Sequence, residues 1–239
     1  MIYFYDGSKQ AFLTAFLLAY GDDDAVLTSG NTQLILGQET VFVRTDEARA
    51  RRAEQRLLAL DKDCMHDLDL LLRSGDEGKD MIAFRYLKLI ATQKRPVRNM
   101  LANEDVISAD ECMRRVTLEI HRLHGFIRFM ESESGALYAP FSPDHDVCDL
   151  LVPHFKARFS RFPFVLHDVK RKKAAVYDGE HVFLAPLKEA EVVLAATEDG
   201  WQALWKQYFE SVNIPSRERL KQQRGYLPVR YRKFMTEFD

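Results

Sequence analysis

Two periods of apolar residues run through this chain, and the places where one gives way to the other mark its elements. Ile2-Tyr3-Phe4-Tyr5 is a short apolar run closed by Asp6-Gly7, which reads as a strand and a turn. Ser8 is placed to cap a helix reaching about Tyr20. Asp22 to Asn31 reads as loop, and Gln33–Leu36 and Thr40–Val43 as strands on either side of Gly37. Thr45 is the next expected cap, with Asp46 and Glu47 suited to the positive end of a helix that runs to about Leu60. Asp67–Arg73 and Asp80–Thr92 are two further helices, separated by a loop from Ser74 to Lys79.

The clearest pattern lies beyond Ser108-Ala109-Asp110-Glu111, a capping box in which serine and glutamate satisfy each other's backbone donors. Cys112, Val116, Ile120, Leu123, Ile127 and Met130 follow at spacings of 4, 4, 3, 4 and 3. That spacing puts them on one face of a helix, with His121 and Arg128 opposite and His124 on the flank. Gly125 sits inside this pattern, where it costs about 1 kcal/mol against alanine, so another element, or else a ligand, is expected to approach closely there. Ala136–Phe141 reads as a strand, and the turn at Ser142–Asp146 leads into a helix in which Pro153 begins a new turn. Phe164–His167, Ala174–Tyr177 and His181–Ala185 form an antiparallel meander, with a tight turn at Asp178-Gly179. Thr197 opens a last long helix whose stripe of Trp201, Leu204, Trp205, Tyr208 and Val212 is expected to pack into the core. The fold class this predicts is α+β: a mixed sheet with an antiparallel C-terminal meander, covered by helices. The chain is expected to be a single compact unit over 1–239. A possible subdivision separates an acidic half, 1–100, from a His/Arg-rich, basic half, 105–239.

Composition adds what the pattern leaves open. With 239 residues, 46% of them hydrophobic, the chain has enough apolar surface for a sizeable core and is not a disordered class. Cys64, Cys112 and Cys148 are too few to build a disulfide scaffold and are expected as reduced thiols in a soluble cytoplasmic protein. The longest apolar stretch, Ala11 to Tyr20, is too short to span a bilayer. It lacks a basic leader and is followed by Asp22-Asp23-Asp24, so it does not read as a signal peptide, and no membrane partner is expected. The net charge is −2, but residues 1–150 carry 18 basic against 25 acidic residues and residues 151–239 carry 16 against 11. That asymmetry points the C-terminal end toward a polyanion.

The named catalytic motifs are silent. There is no GxxxxGK[ST] or GxGxxG phosphate loop, no HExxH, no CxxC pair and no GxSxG elbow. Neither a cofactor nor a metal is expected. Histidines beside carboxylates are the candidates for proton transfer: His121, His145 with Asp146, His154, and His167 with Asp168. Arg128 and Arg158, each followed by a phenylalanine, are able to hold a phosphate or pair with an acid. The tail interleaves cations with rings: Arg217, Arg219, Lys221 and Arg224, then Arg230, Tyr231, Arg232 and Lys233. Basic residues among aromatics suit a nucleic-acid backbone with bases to stack, and Lys170-Arg171-Lys172-Lys173 adds a second positive edge.

The motifs taken in order resemble a bacterial family of DNA metabolism or DNA repair proteins. They are the opening Met1–Ser8, the HRxxGFxRF stretch from His121 to Phe129, Pro143-Asp144-His145-Asp146, and PHFxxRF from Pro153 to Phe159. His167-Asp168, Tyr177-Asp178-Gly179, the Trp201/Trp205/Phe209 helix, Ile214-Pro215 and a Leu-Pro-x-Arg-Tyr-x-Lys ending at Lys233 complete the series. The resemblance spans the whole chain and is densest over 119–233. It implies a neighbouring radical-SAM partner, and related domains fused to a uracil-DNA-glycosylase-like domain. This chain has no CxxxCxxC motif and so is not itself the radical-SAM enzyme.

The expectation is therefore a DNA-binding accessory protein of DNA repair acting with that partner. The alternatives are a nucleic-acid-processing enzyme built on the His/Asp residues, or a protein–protein adaptor without nucleic-acid contact.

Overall fold

The computed structural model describes residues 1–30, 39–214, 216 and 219–238, leaving aside the side chain of Leu220. The strand expected at Gln33–Leu36 lies outside the described residues. The chain is α+β, 49% helical and 15% strand, and divides into two compact units, 1–117 and 118–239.

The first unit starts with β1 (Ile2–Phe4), α1 (Lys9–Ala19) and β2 (Val26–Thr28), followed by β3 (Thr40–Phe42). β1 lies between the other two strands and pairs with both in parallel, Ile2 opposite Val26 on one side and Thr40 on the other. A parallel pair needs a crossover, and α1 supplies it between β1 and β2. Ala11, Phe12, Leu13, Ala15, Phe16 and Ala19 of α1 are all buried, so most of this helix's circumference is covered, with Gln10 and Leu18 left in solvent. β2 falls inside the stretch expected as loop. It is only three residues long and lacks a clean alternation.

Four helices follow: α2 (Glu47–Leu58), α3 (Cys64–Arg73), α4 (Lys79–Gln93) and the start of α5 (Glu104–Phe126). The cap of α2 is Asp46 and not Thr45, since its carboxylate accepts from Arg49 N at 3.0 Å. α5 starts before the capping box: Asn103 Oδ1 accepts from the backbone N–H of Asp105 and Val106, and Ser108 lies inside the helix. Asn103, which the sequence pattern did not single out, is the cap because it satisfies two orphan donors at once.

Two buried aspartates organise this unit. Asp80, in the first turn of α4, accepts from Tyr5 Oη at 2.6 Å, Ser29 N at 2.7 Å and Ser29 Oγ at 2.9 Å. It thereby joins the ends of β1 and β2 to one helix. Asp67 of α3 accepts from Tyr86 Oη at 2.9 Å and from both Nε and Nη2 of Arg98. Burial pushes the Tyr5 and Tyr86 hydroxyls up, and the neighbouring carboxylates push them further, so both remain donors.

The second unit holds the end of α5 and a five-stranded sheet in the order β4 (Met130–Glu131), β5 (Leu137–Phe141), β6 (Phe164–Asp168), β7 (Lys173–Tyr177), β8 (Val182–Pro186). β5 and β6 are parallel, joined through α6 (Val152–Arg158), where Pro153 occupies the first turn. β6, β7 and β8 form the antiparallel meander. Phe129 packs edge-on against Phe155, Phe159 and Phe164 at 4.8 to 6.1 Å, which seats α6 on the sheet. α7 (Glu198–Val212), α8 (Leu220–Tyr226) and α9 (Val229–Arg232) end the chain. Cys64, Cys112 and Cys148 are buried and unbridged; burial pushes the Cys64 thiol up to about 12 and the Cys148 thiol to about 11.

Removing the Asp80 carboxylate leaves the buried Tyr5 hydroxyl and Ser29 N–H without an acceptor. Asp80→Ala is expected to lower stability by about 3 kcal/mol, against less for Asp80→Asn, read as a shift in the urea midpoint at unchanged slope.

Candidate nucleic-acid interface

The second unit is built around a buried carboxylate. Glu119, 2% exposed, lies on α5 just before the His121–Phe129 motif. It accepts from His145 N at 2.7 Å, Asp144 N at 3.0 Å, Tyr231 Oη at 2.6 Å and Arg230 Nη2 at 3.0 Å. Arg230 also reaches Asp144 Oδ2 at 2.9 Å and lies over the Tyr231 ring. Burial pushes the Glu119 carboxyl up, but the hydrogen bonds from Tyr231, the two N–H groups and Arg230 outweigh it, and its pKa is lowered. Arg230 and Tyr231, candidates for nucleic-acid contact, are thus held inward, pinning α9 to α5.

The candidate histidines divide among separate partnerships. His167 is buried, with Nδ1 2.7 Å from Tyr138 Oη and Nε2 3.0 Å from Leu187 O. A carbonyl only accepts, so Nε2 is the donor to Leu187 O, and the other ring nitrogen is held by the tyrosine hydroxyl. Asp168 caps the β6–β7 turn, accepting from the N–H of Lys170 and Arg171 and pairing with Arg171 Nη1 at 3.1 Å. Asp146 pairs with Lys173, and His145 is buried beside Glu119. His154 stacks on His124 at 4.1 Å between centroids, and His121 is exposed. Burial lowers the His124 pKa, and the charges of His154 and His121 lower it further. Among the described residues, no group of three or more His, Cys, Asp or Glu is arranged to hold a metal ion.

The rings and arginines meet instead along α7. Its stripe does not enter the core: Trp201 is 61% exposed, Trp205 39% and Tyr208 56%. Glu198 is the one buried residue of this helix among those described, accepting from Glu131 N at 2.9 Å and Gln202 Nε2 at 3.0 Å. The amphipathic period was real, but α7 is fastened at its first turn and leaves its apolar face in solvent. A hollow of about 560 Å³ opens there, its walls including Gly125, Arg128, Phe129, Arg158, Trp201 and Trp205. No element approaches Gly125, contrary to expectation; a Cβ there meets open space, and the residue forms part of the hollow's wall.

Trp205 is held from two sides. Its Nε1 donates to Glu237 Oε2 at 3.0 Å, and the Arg128 guanidinium lies 5.3 Å from its ring centre. Arg128 in turn pairs with Glu237 Oε1 at 2.6 Å and donates to Gly125 O. Burial raises the Glu237 pKa, but the donors from Arg128, its own backbone and Trp205 outweigh it, and the group remains a carboxylate. Arg128 is therefore a positioning residue for Trp205. Arg158 is different: it is exposed, lies over Phe159, and has no carboxylate partner among the described residues.

Beyond the hollow, α7 borders a second one of about 690 Å³ that includes Phe209, Arg219, Tyr226, Arg232 and Phe238. Arg219, Lys221, Arg224 and Lys233 are exposed and free of carboxylates among the described residues. Arg232 donates to Gln223 Oε1 at 3.3 Å and lies over Phe238. Arg217 lies outside the described residues. From Trp201 to Val212 the helix covers about 17 Å, with Arg128 and Arg158 lining the hollow at its start and Arg219 and Arg232 the hollow at its end.

The geometry defines an α+β module with exposed rings on one helix and arginines in the hollows that helix lines. The chain belongs to the family described as Domain of unknown function DUF4130, whose model matches residues 77–237. No curated protein and no solved structure matches it. No described helix is long and apolar enough to cross a membrane.

Loss of the Tyr231 hydroxyl is expected to cost about 1.5–3 kcal/mol, because the bond is to a buried charge; Tyr231→Phe tests it in urea unfolding. Glu119 has a lowered pKa in the folded state, so its contribution is full above the ordinary value of 4.5 and is lost as pH falls from there through the folded value. Glu119→Gln is expected to shrink that acid limb in a stability-against-pH profile.

Proposed function

We propose that this chain is a nucleic-acid-binding accessory protein of DNA repair or DNA metabolism, holding single strands along α7 and acting beside a radical-SAM partner. The observation that carries the reading is the solvent-facing row of Trp201, Trp205 and Tyr208, with Arg158 in the hollow that Trp201 and Trp205 line and Arg219 in the hollow at the far end of the helix. The exposed Lys221, Arg224 and Lys233 follow on the tail. An unpaired base has two π faces, and stacking each on a ring is worth about 1–3 kcal/mol whatever the base. The cations answer the phosphates, and with Arg128 fixing the Trp205 plane the platform needs little reordering on binding. Duplex DNA buries its base faces and offers the row only phosphates, which favours single strands. Arg230 and Tyr231, spent on Glu119, leave the set of contact residues. The repair context and the radical-SAM partner rest on the resemblance carried by the ordered motifs from His121 to Lys233.

The test is fluorescence anisotropy of the full chain with labelled single- and double-stranded DNA across a salt series. Single strands are expected to bind more tightly, and Trp201→Ala to weaken them by about tenfold. Arg158→Ala is expected to flatten the logarithmic salt slope by about 0.7, the value for one phosphate on a single strand. Affinity unchanged by Trp201→Ala, or no binding at low salt, sinks the reading.

A further inference from the structure

We propose that β8 is the contact strand of a two-fold dimer of this chain. β8 ends the five-strand sheet, and three consecutive apolar residues on it are open to solvent: Val182 at 41%, Phe183 at 51% and Leu184 at 59%. An exposed apolar edge of this kind is a template for another strand.

The hydrogen-bond pattern fixes which groups are available. Leu187 N donates to Lys172 O at 2.8 Å and Asp178 N donates to His181 O at 3.2 Å, so odd-numbered residues here turn their backbone groups toward β7. Val182, Leu184 and Pro186 therefore turn theirs outward. Pro186 has no N–H to present, but its carbonyl is free.

A second copy fits this edge in one register. With β8 antiparallel to itself and the two-fold axis at Leu184, Leu184 exchanges both hydrogen bonds with the partner's Leu184. Val182 N–H donates to the carbonyl of the partner's Pro186, where the missing N–H costs only the return bond. The charges at the two ends choose this occupant over an unrelated strand. Glu180 at the β7–β8 turn comes beside the partner's Lys188, and the axis repeats that pair at the other end. Lys188 is exposed and has no carboxylate partner among the described residues, while the Glu180 carboxylate reaches only His181, at 4.0 Å. The contact is isologous and closes at two copies, because each chain offers one such edge.

Sedimentation velocity of the full chain over a concentration series tests this, with circular dichroism to check the fold of each variant. The wild type is expected to dimerise. Leu184→Asp, which puts two carboxylates at the axis on a residue already exposed, is expected to give monomer with an intact fold. Glu180→Lys and Lys188→Glu are each expected to raise the dimer Kd, by about twofold to thirtyfold, since each sets two like-charge pairs together. The double exchange is expected to return the Kd toward that of wild type. A wild type that remains monomeric at every concentration overturns the proposal. So does a dimer that survives Leu184→Asp, or a double exchange no better than the single ones.

Discussion

A single buried carboxylate decides the shape of the second unit. Glu119 is almost fully buried, and it is stable there because four donors from two stretches of chain converge on it. The backbone of the 144–145 turn, the Arg230 guanidinium and the Tyr231 hydroxyl are sequence neighbours of nothing else in α5. The segment after α8 is short, with no sheet of its own, and this charge gives it a fixed position. The free cations just upstream of it are presented from that anchored base.

A second carboxylate does related work on a smaller scale. Glu237 takes the Arg128 guanidinium and the Trp205 indole N–H together, so one acid sets both a ring plane and the cation resting on it. Arginine suits that role because its planar head stacks and forks at once, which a lysine ammonium does not. The consequence is a division of labour among the arginines: Arg128 and Arg230 are structural, and Arg158 and Arg219 face solvent.

Much of the fold was legible because its signals were local. The helical period from Cys112 to Ile127, the Asp178-Gly179 turn, the C-terminal meander and Pro153 at a helix start all depend on neighbours within one or two turns. Asn103 displaced Ser108 as a cap because two good caps lay five residues apart and only one could begin the helix. β2 escaped notice because three residues carry too little alternation. The site was legible in its parts and not in its assignment. The stripe on α7 was visible, yet periodicity states only that a helix has an apolar face, not whether anything covers it. The tail's cations and rings were visible in the sequence, but which cation meets an acid depends on partners over a hundred positions away, as Arg230 and Glu119 show.

The hollow along α7 has one more property. The chain contains only two tryptophans, and both line it. Excitation at the red edge of the indole band, beyond the absorption of the nine tyrosines, therefore samples this one place. Trp201 stands in water while Trp205 carries a guanidinium on its ring and a carboxylate on its N–H, so the two indoles are expected to differ in emission maximum and in exposure to a collisional quencher. The protein carries its own optical probe at the surface where occupancy matters most, and a titration followed by that emission needs no dye.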